Sequence, residues 1–314
     1  MVRLVLNRLF AAVPTLLLSA LAVFAMIRLI PGDPAAVMLG DQADPASLAE
    51  LRHALGLDLS LPSQFLRWAG RALHGDLGVS IRTGEPVLAL VIDRFEVSAR
   101  LVVVAVSLAA AIAVPAGIVA AWRQNGKLDL ATVGTATVLL SIPGFWLGLM
   151  LLYVFGLKLG WLPVVGYVSF AEDTRAALLY LVLPLATLVL NEIGIVVHMS
   201  RASALDVLRL EYITHARAKG LSEWAILRRH VFRNAFGPTW TLIGLMLGNL
   251  LGGIAVVETV FTIPGLGRLL VDSILSRDYP VVQGCLLVIV FAYLVINLVV
   301  DLLYPLFDPR MSAL

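Results

Sequence analysis

The sequence predicts an all-α, polytopic membrane protein with six transmembrane helices. Three observations carry this expectation: 60% of the 314 residues are hydrophobic, only 14% are charged, and five runs of spanning length contain no Asp, Glu, Lys or Arg. A water-soluble globule of this size needs far more polar surface than such a composition supplies. A helix rising about 1.5 Å per residue crosses a hydrocarbon layer about 30 Å thick in about 20 residues, which sets the length to look for.

The first run, residues 9–27, follows Arg3 and Arg8. That start resembles a secretory signal, but the run continues past the small residues Ala20 and Ala22, so cleavage there would cut a helix in its middle, and it reads as a retained anchor. Next comes the segment 31–95, opening on the turn-rich "PGDP" and closing on the glycine-punctuated "HGDLGVSIRTGEP". It is too short for an autonomous core and reads as a lid or docking surface. The runs 101–122 and 130–157 follow, the second interrupted by Pro143 and Gly144, which predict a kink whose freed backbone groups a neighbour must satisfy. A sixth run, 176–200, carries a single acid, Glu192, beside Asn191. Run 234–257 holds Gly244, Gly248 and Gly252 at four-residue spacing, which places them on one helical face where another backbone can approach. The last run is 279–300.

Six spans put both termini on one side. That side carries twelve Lys and Arg in short segments and the other nine in longer ones, so the positive-inside rule makes the termini cytoplasmic. The chain then divides into a cytoplasmic N-terminus with the first span (1–30), an extracytoplasmic segment (31–95), a permease core of five helices (96–308) with a cytoplasmic loop at 201–236, and a short cytoplasmic tail (309–314).

Composition also excludes. A formal net charge of +2, with arginines scattered through connecting segments, gives no nucleic-acid footprint. The single cysteine, Cys285, lies in an apolar run and can form no intrachain disulfide. No G-x-x-x-x-G-K-[ST] occurs to cradle nucleotide phosphates, and no H-E-x-x-H pairs the five histidines for zinc. The chain is read as a non-enzyme with no metal or cofactor of its own.

The polar block "RLEYITHARAKGLSEWAILRRHVFRN", residues 209–234, stands between two apolar runs. Ser222 suits a helix N-cap, Leu221 and Ile226 stand at the positions of a hydrophobic staple, and Gly220 suits the end of a preceding helix. The block therefore reads as two short helices broken at Gly220, the first with Tyr212, Ile213 and Ala216 on its apolar side. Two roles fit: a helix pair lying on anionic headgroups, or a knob that docks into another protein.

"EYITHARAKGLS" resembles the coupling loop of ABC importer permeases of the dipeptide, oligopeptide and nickel branch. "IRLIPGDPA", "GDLGVSIRTGEPV", "SIPGFWLGL", "VVETVFTIPGLGRLL", "RDYPVVQG" and "DLLYPLFDPR" extend the resemblance over nearly the whole chain, closest to the B-type subunit of dipeptide permeases. The general signature of such importers places Glu-Ala-Ala six residues before its glycine, where this sequence reads Thr214-His215-Ala216. The resemblance implies a type I importer permease fold in a prokaryotic inner membrane. It implies a homologous second permease, two ATPase subunits that bind ATP and Mg beneath, and an extracytoplasmic solute-binding protein above. It assigns ATPase coupling to Glu211, Tyr212, Thr214, His215, Ala216, Arg217, Ala218, Lys219 and Gly220. Candidate contacts for the binding protein are Pro264, Gly265, Gly267, Arg268 and Asp272, read as a tight turn with polar flanks.

Within the membrane an acid costs about 2.5–3.5 kcal/mol even on mild scales, so Glu192 must face water, a partner or the pathway. Asn191, Glu192 and the three glycines are accordingly candidates for pathway or interface. The alternative class is a secondary transporter coupled to an ion gradient, with Glu192 as its titrating group.

Overall fold

The computed structural model describes residues 2–29, 35–36 and 44–306, so the "PGDP" turn and the tail 309–314 lie outside the described residues. The described secondary structure is helical apart from one isolated antiparallel bridge, Val79 to Pro86. In chain order the helices are α1 (Val2–Leu29), α2 (Pro45–Leu55), α3 (Leu61–Leu73), α4 (Val87–Trp122), α5 (Lys127–Ser141), α6 (Gly144–Leu151), α7 (Thr174–Leu208), α8 (Glu211–Ala218), α9 (Glu223–Ile226), α10 (Phe232–Gly253), α11 (Ala255–Val260), α12 (Leu266–Leu275) and α13 (Tyr279–Leu303). Three of them, α4, α7 and α13, are each long and apolar enough to cross a membrane unbroken. α5 with α6 and the π-helical turn Leu152–Lys158 makes a fourth such length, bent by 98°.

That bend is far sharper than a kink. Pro143 lacks an N–H and forces its predecessor out of the helical region, and Ile142 is extended at φ −88°, ψ 123°. Gly144 then restarts the helix hard against α7: a Cβ on it would lie 2.4 Å from Nδ2 of Asn191.

The chain forms two compact units. The first is built on Ala99–Ile263 together with the chain from Tyr293 onward. Its core joins Ala113, Val114 and Ile118 of α4, Val196, Val197 and Ala204 of α7, and Ile213, Ile226 and Val231 of the polar block. An ion pair reinforces this packing. Arg201 of α7 donates through Nε (2.6 Å) and Nη2 (2.8 Å) to the buried carboxylate of Asp129 at the start of α5, which also accepts the Asn125 N–H at 2.9 Å. α7 therefore continues well past the end of its apolar run, to Leu208.

The second unit is Asn7–Ser98 with Pro264–Ala292. Asp44 caps α2 by accepting the N–H groups of Ala46 and Ser47, both at 2.9 Å. α3 lays Phe65 and Trp68 on Phe24 of α1, ring centroids 5.5 and 5.8 Å apart. Residues 79–86 fold into a tight hairpin, in which Ser80 N–H reaches Glu85 O (2.9 Å) and Gly84 N–H reaches Ser80 O (3.0 Å). The buried carboxylate of Asp278 accepts from Ser80 Oγ (2.5 Å) and from the N–H groups of Ile81 (3.1 Å) and Arg82 (3.3 Å). Two segments that are distant in sequence, "GVSIRTGEP" and "RDYP", are thus one structure. Removing an acceptor from buried donors costs about 1–3 kcal/mol. Asp278→Ala should accordingly loosen the hairpin and speed tryptic cleavage after the exposed Arg82 severalfold. Unchanged cleavage would show that the turn holds without the carboxylate.

Candidate functional site

The polar block is built by two helix ends. α7 stops at Arg209, Leu210 turns the chain at ψ 141°, and α8 runs from Glu211 to Ala218. Its termination is complete: Leu221 N–H donates to Ala216 O (3.2 Å) and Gly220 N–H to Arg217 O (2.9 Å), with Gly220 left-handed at φ +79°. The break expected at Gly220 therefore has a definite geometry. No atom lies within 4 Å of where a Gly220 Cβ would stand, so the backbone alone sets the preference for glycine there.

Ser222 then accepts the Ala225 N–H (3.3 Å) and starts α9, whose Ile226 is fully buried with Leu221 packed nearby. The second half of the block is not a separate short helix. α9 passes through the π-helical turn Leu227–Val231 directly into α10, because Leu227 and Val231 are buried and hold that turn on the core.

Within α8 only Ile213 and Ala216 are buried. Glu211, Thr214, His215, Arg217, Ala218, Lys219 and Gly220 are exposed, as is Tyr212, whose Oη accepts from Asn234 Nδ2 at 3.2 Å. The apolar anchor is thus two residues wide, and the rest of the helix is exposed. Arg217 is not a free charge. Its Nε donates to Glu223 Oε1 (2.8 Å) and its Nη2 to Oε2 (3.3 Å), while Trp122 Nε1 donates to the same Oε2 at 3.1 Å. The Arg217 bond, then that from Trp122, holds the Glu223 carboxyl below the usual carboxylate range, and Glu223 raises Arg217 in return. Beside them Trp224 is 70% exposed. Sequence reading passed over both Glu223 and Trp224, although an aromatic inside a charged stretch was a usable signal.

The other predicted residues are dispersed. In α7, Asn191 packs on Gly144 and Glu192 is half-buried. The glycine stripe of α10 divides: a Cβ on Gly244 would lie 2.3 Å from Val300 Cγ2, one on Gly248 would lie 2.3 Å from Tyr293 Cδ2, and one on Gly252 would meet nothing within 4 Å. Gly244 and Gly248 seat α13 inside this subunit, and Gly252 is open.

The segment 264–272 is a helix start rather than the expected tight turn. Gly265 precedes α12 at φ −103°, ψ 178°, and Leu266 N–H donates to Ser98 Oγ at 2.7 Å. Gly265 and Gly267 are buried by that packing and Pro264 O accepts from Arg94 Nη1, so only Arg268 and Asp272, 3.7 Å apart, turn outward from this set. The fully buried Glu258 of α11 and Asp278 were not singled out from sequence, because an acid inside an apolar motif looks the same whether it is packed or exposed.

Long apolar helices with an exposed polar block seated on their ends fit a multi-pass membrane protein. Residues 113–313 match the family described as binding-protein-dependent transport system inner membrane component, and residues 1–102 match the N-terminal family of the same membrane component. The chain belongs to this family. It is a multi-pass inner-membrane protein and the permease subunit of an ABC importer. A probable peptide ABC transporter permease of Sinorhizobium fredii is 40% identical, with 98% of each chain covered. A glutathione transport system permease of Pectobacterium atrosepticum is 42% identical (96% of each), and a dipeptide transport system permease of Alkalihalophilus pseudofirmus 37% (98% of each). The fold resembles a chain from inward-facing MetNI methionine ABC transporter structures, with a TM-score of 0.59 and 17% identity over 70% of this chain and 97% of that one.

Proposed function

We propose that this chain forms half of an ATP-driven path for di- or oligopeptides or a related small solute such as glutathione. In this reading it spans the membrane six times with both termini cytoplasmic and pairs with a homologous second permease. Separate ATPase subunits bind ATP and Mg and seat against α8, and a solute-binding protein docks on the opposite side. The observation that carries the reading is α8 itself: anchored to the core by Ile213 and Ala216, it turns Glu211, Thr214, His215, Ala218 and Lys219 outward, where a partner can seat. A helix lying on lipid headgroups would instead turn its apolar side to the bilayer.

The domain division follows the same reading. The hairpin 79–86 latched by Asp278, with Arg268 and Asp272, belongs to the extracytoplasmic side and is offered to the binding protein. Asn191, Glu192 and the open Gly252 are assigned to the pathway or to the seam with the second permease. The test is uptake into vesicles that hold this chain with its second permease and ATPases, supplied with the binding protein and no membrane potential. Peptide should accumulate only with ATP. Accumulation driven by an ion gradient without ATP would replace the reading with a secondary transporter.

A further inference from the structure

The contacts of Glu223 go further than the coupling role of α8, and rest on it. We infer that Glu223 is a positioning residue that carries displacement of α8 into α4, the helix that ends at Trp122. One carboxylate joins three elements: it opens α9, accepts both Arg217 bonds from α8, and accepts the Trp122 indole N–H at 3.1 Å. Arg123 lies over the indole face, its guanidinium carbon 4.6 Å from the ring centroid.

Besides this joint, α8 reaches the helices through the apolar contacts of Ile213 and Ala216, which can slide, and through Tyr212 Oη, which accepts from Asn234 Nδ2 of α10 at 3.2 Å, whereas the Glu223 joint leads to α4. Hydrogen bonds of fixed direction transmit both push and pull. The line also continues. Four residues after Trp122, the turn 123–126 delivers the chain to α5, where the Asn125 N–H and Arg201 meet on Asp129. A movement passed to the end of α4 therefore meets a second rigid joint that ties α5 to α7. Arg217 and Glu223 are each 41% exposed, so the pair adds little static stability, and a role in transmission accounts better for its three-way geometry.

A claim of transmission needs measured coupling rather than adjacency. The complete importer is reconstituted in vesicles with Glu223→Gln, Trp122→Phe and the double variant. Trp122→Phe keeps an aromatic ring against the core and removes the donor together with one ring of the indole, so melting is read beside it. Solute uptake per ATP hydrolysed is measured together with co-purification of the ATPases and the melting temperature. Each single variant should lower the uptake ratio roughly two- to tenfold, with ATPases retained and melting unchanged, and the double variant should be no worse than the poorer single. Additive losses, or losses confined to melting or assembly, would make the joint a brace and overturn the inference. Should Glu223→Gln assemble poorly, Trp122→Phe decides alone. Failure of the underlying coupling role is seen separately, as a wild-type complex that retains no ATPase or imports without ATP.

Discussion

Gly248→Leu should prevent this subunit from assembling into an active importer, while Gly252→Leu, four residues along the same helix, should leave its folding intact. The two glycines look equivalent in sequence and are opposite in surroundings. A single methyl on Gly248 already falls 2.3 and 2.5 Å from ring carbons of Tyr293, and its Cβ position is 3.5 Å from Tyr293 Cγ, so the ring must leave its rotamer before any branched side chain fits. Overpacking of this kind costs about 1–3 kcal/mol, with leucine at the upper end because three more carbons follow the first. Gly244 confirms the direction of the constraint: the same face meets Val300, whose branched carbons approach to 2.3 and 2.9 Å and whose single χ1 angle leaves little room to yield. The measurement is recovery of monodisperse complex from detergent, with melting temperature. Wild-type recovery of Gly248→Leu would show that α13 can withdraw from α10 freely. If Gly252→Leu folds but loses transport, the open end of the stripe is where the second permease or the solute passes.

This divided stripe shows where sequence reading stops. Spacing put Gly244, Gly248 and Gly252 on one face, which the helix confirms, but only the contact partners reveal that α13 covers two of them and leaves the third. The same holds for Pro143. A proline in an apolar run announces a distortion, yet the 98° turn depends on Gly144 fitting beneath Asn191, a pairing of residues 47 positions apart that no local pattern encodes. Local chemistry was more legible: the Ser222 cap, the buried Ile226 and the left-handed Gly220 follow from residue types a few positions apart. The segment 264–272 was misread because Pro and Gly cues describe a turn equally well before a loop and before a helix. Buried Leu266 and its bond to Ser98 decided for the helix. The partner of Arg217 was not legible either: Glu223 lies six residues on, across the Gly220 turn, and takes up the guanidinium within the chain.

Gly220→Val should separate hydrolysis from transport. On the coupling reading, α8 must present its exposed face at a fixed angle, and that angle is set where the helix ends, by the paired bonds Leu221 N–H to Ala216 O and Gly220 N–H to Arg217 O. The first of them needs the left-handed backbone of Gly220 at φ +79°, which turns the Leu221 N–H back onto the helix end. A β-branched residue in that region is strained by about 1–2 kcal/mol, enough to shift the favoured exit and with it the approach of Ser222 and Glu223. Crowding plays no part, since space around the missing Cβ is open, and this yields a discriminating series. Gly220→Asn, though larger than alanine, should be the mildest change because asparagine tolerates the left-handed region; Gly220→Ala should be intermediate and Gly220→Val the most severe. In vesicles holding the complete complex, uptake per ATP hydrolysed should fall in that order, while insertion of the chain and docking of the binding protein stay as in wild type. An order that follows side-chain volume instead would mean that an ATPase surface packs directly on residue 220. Wild-type coupling for Gly220→Val would leave α8 as a surface helix with no part in transmission.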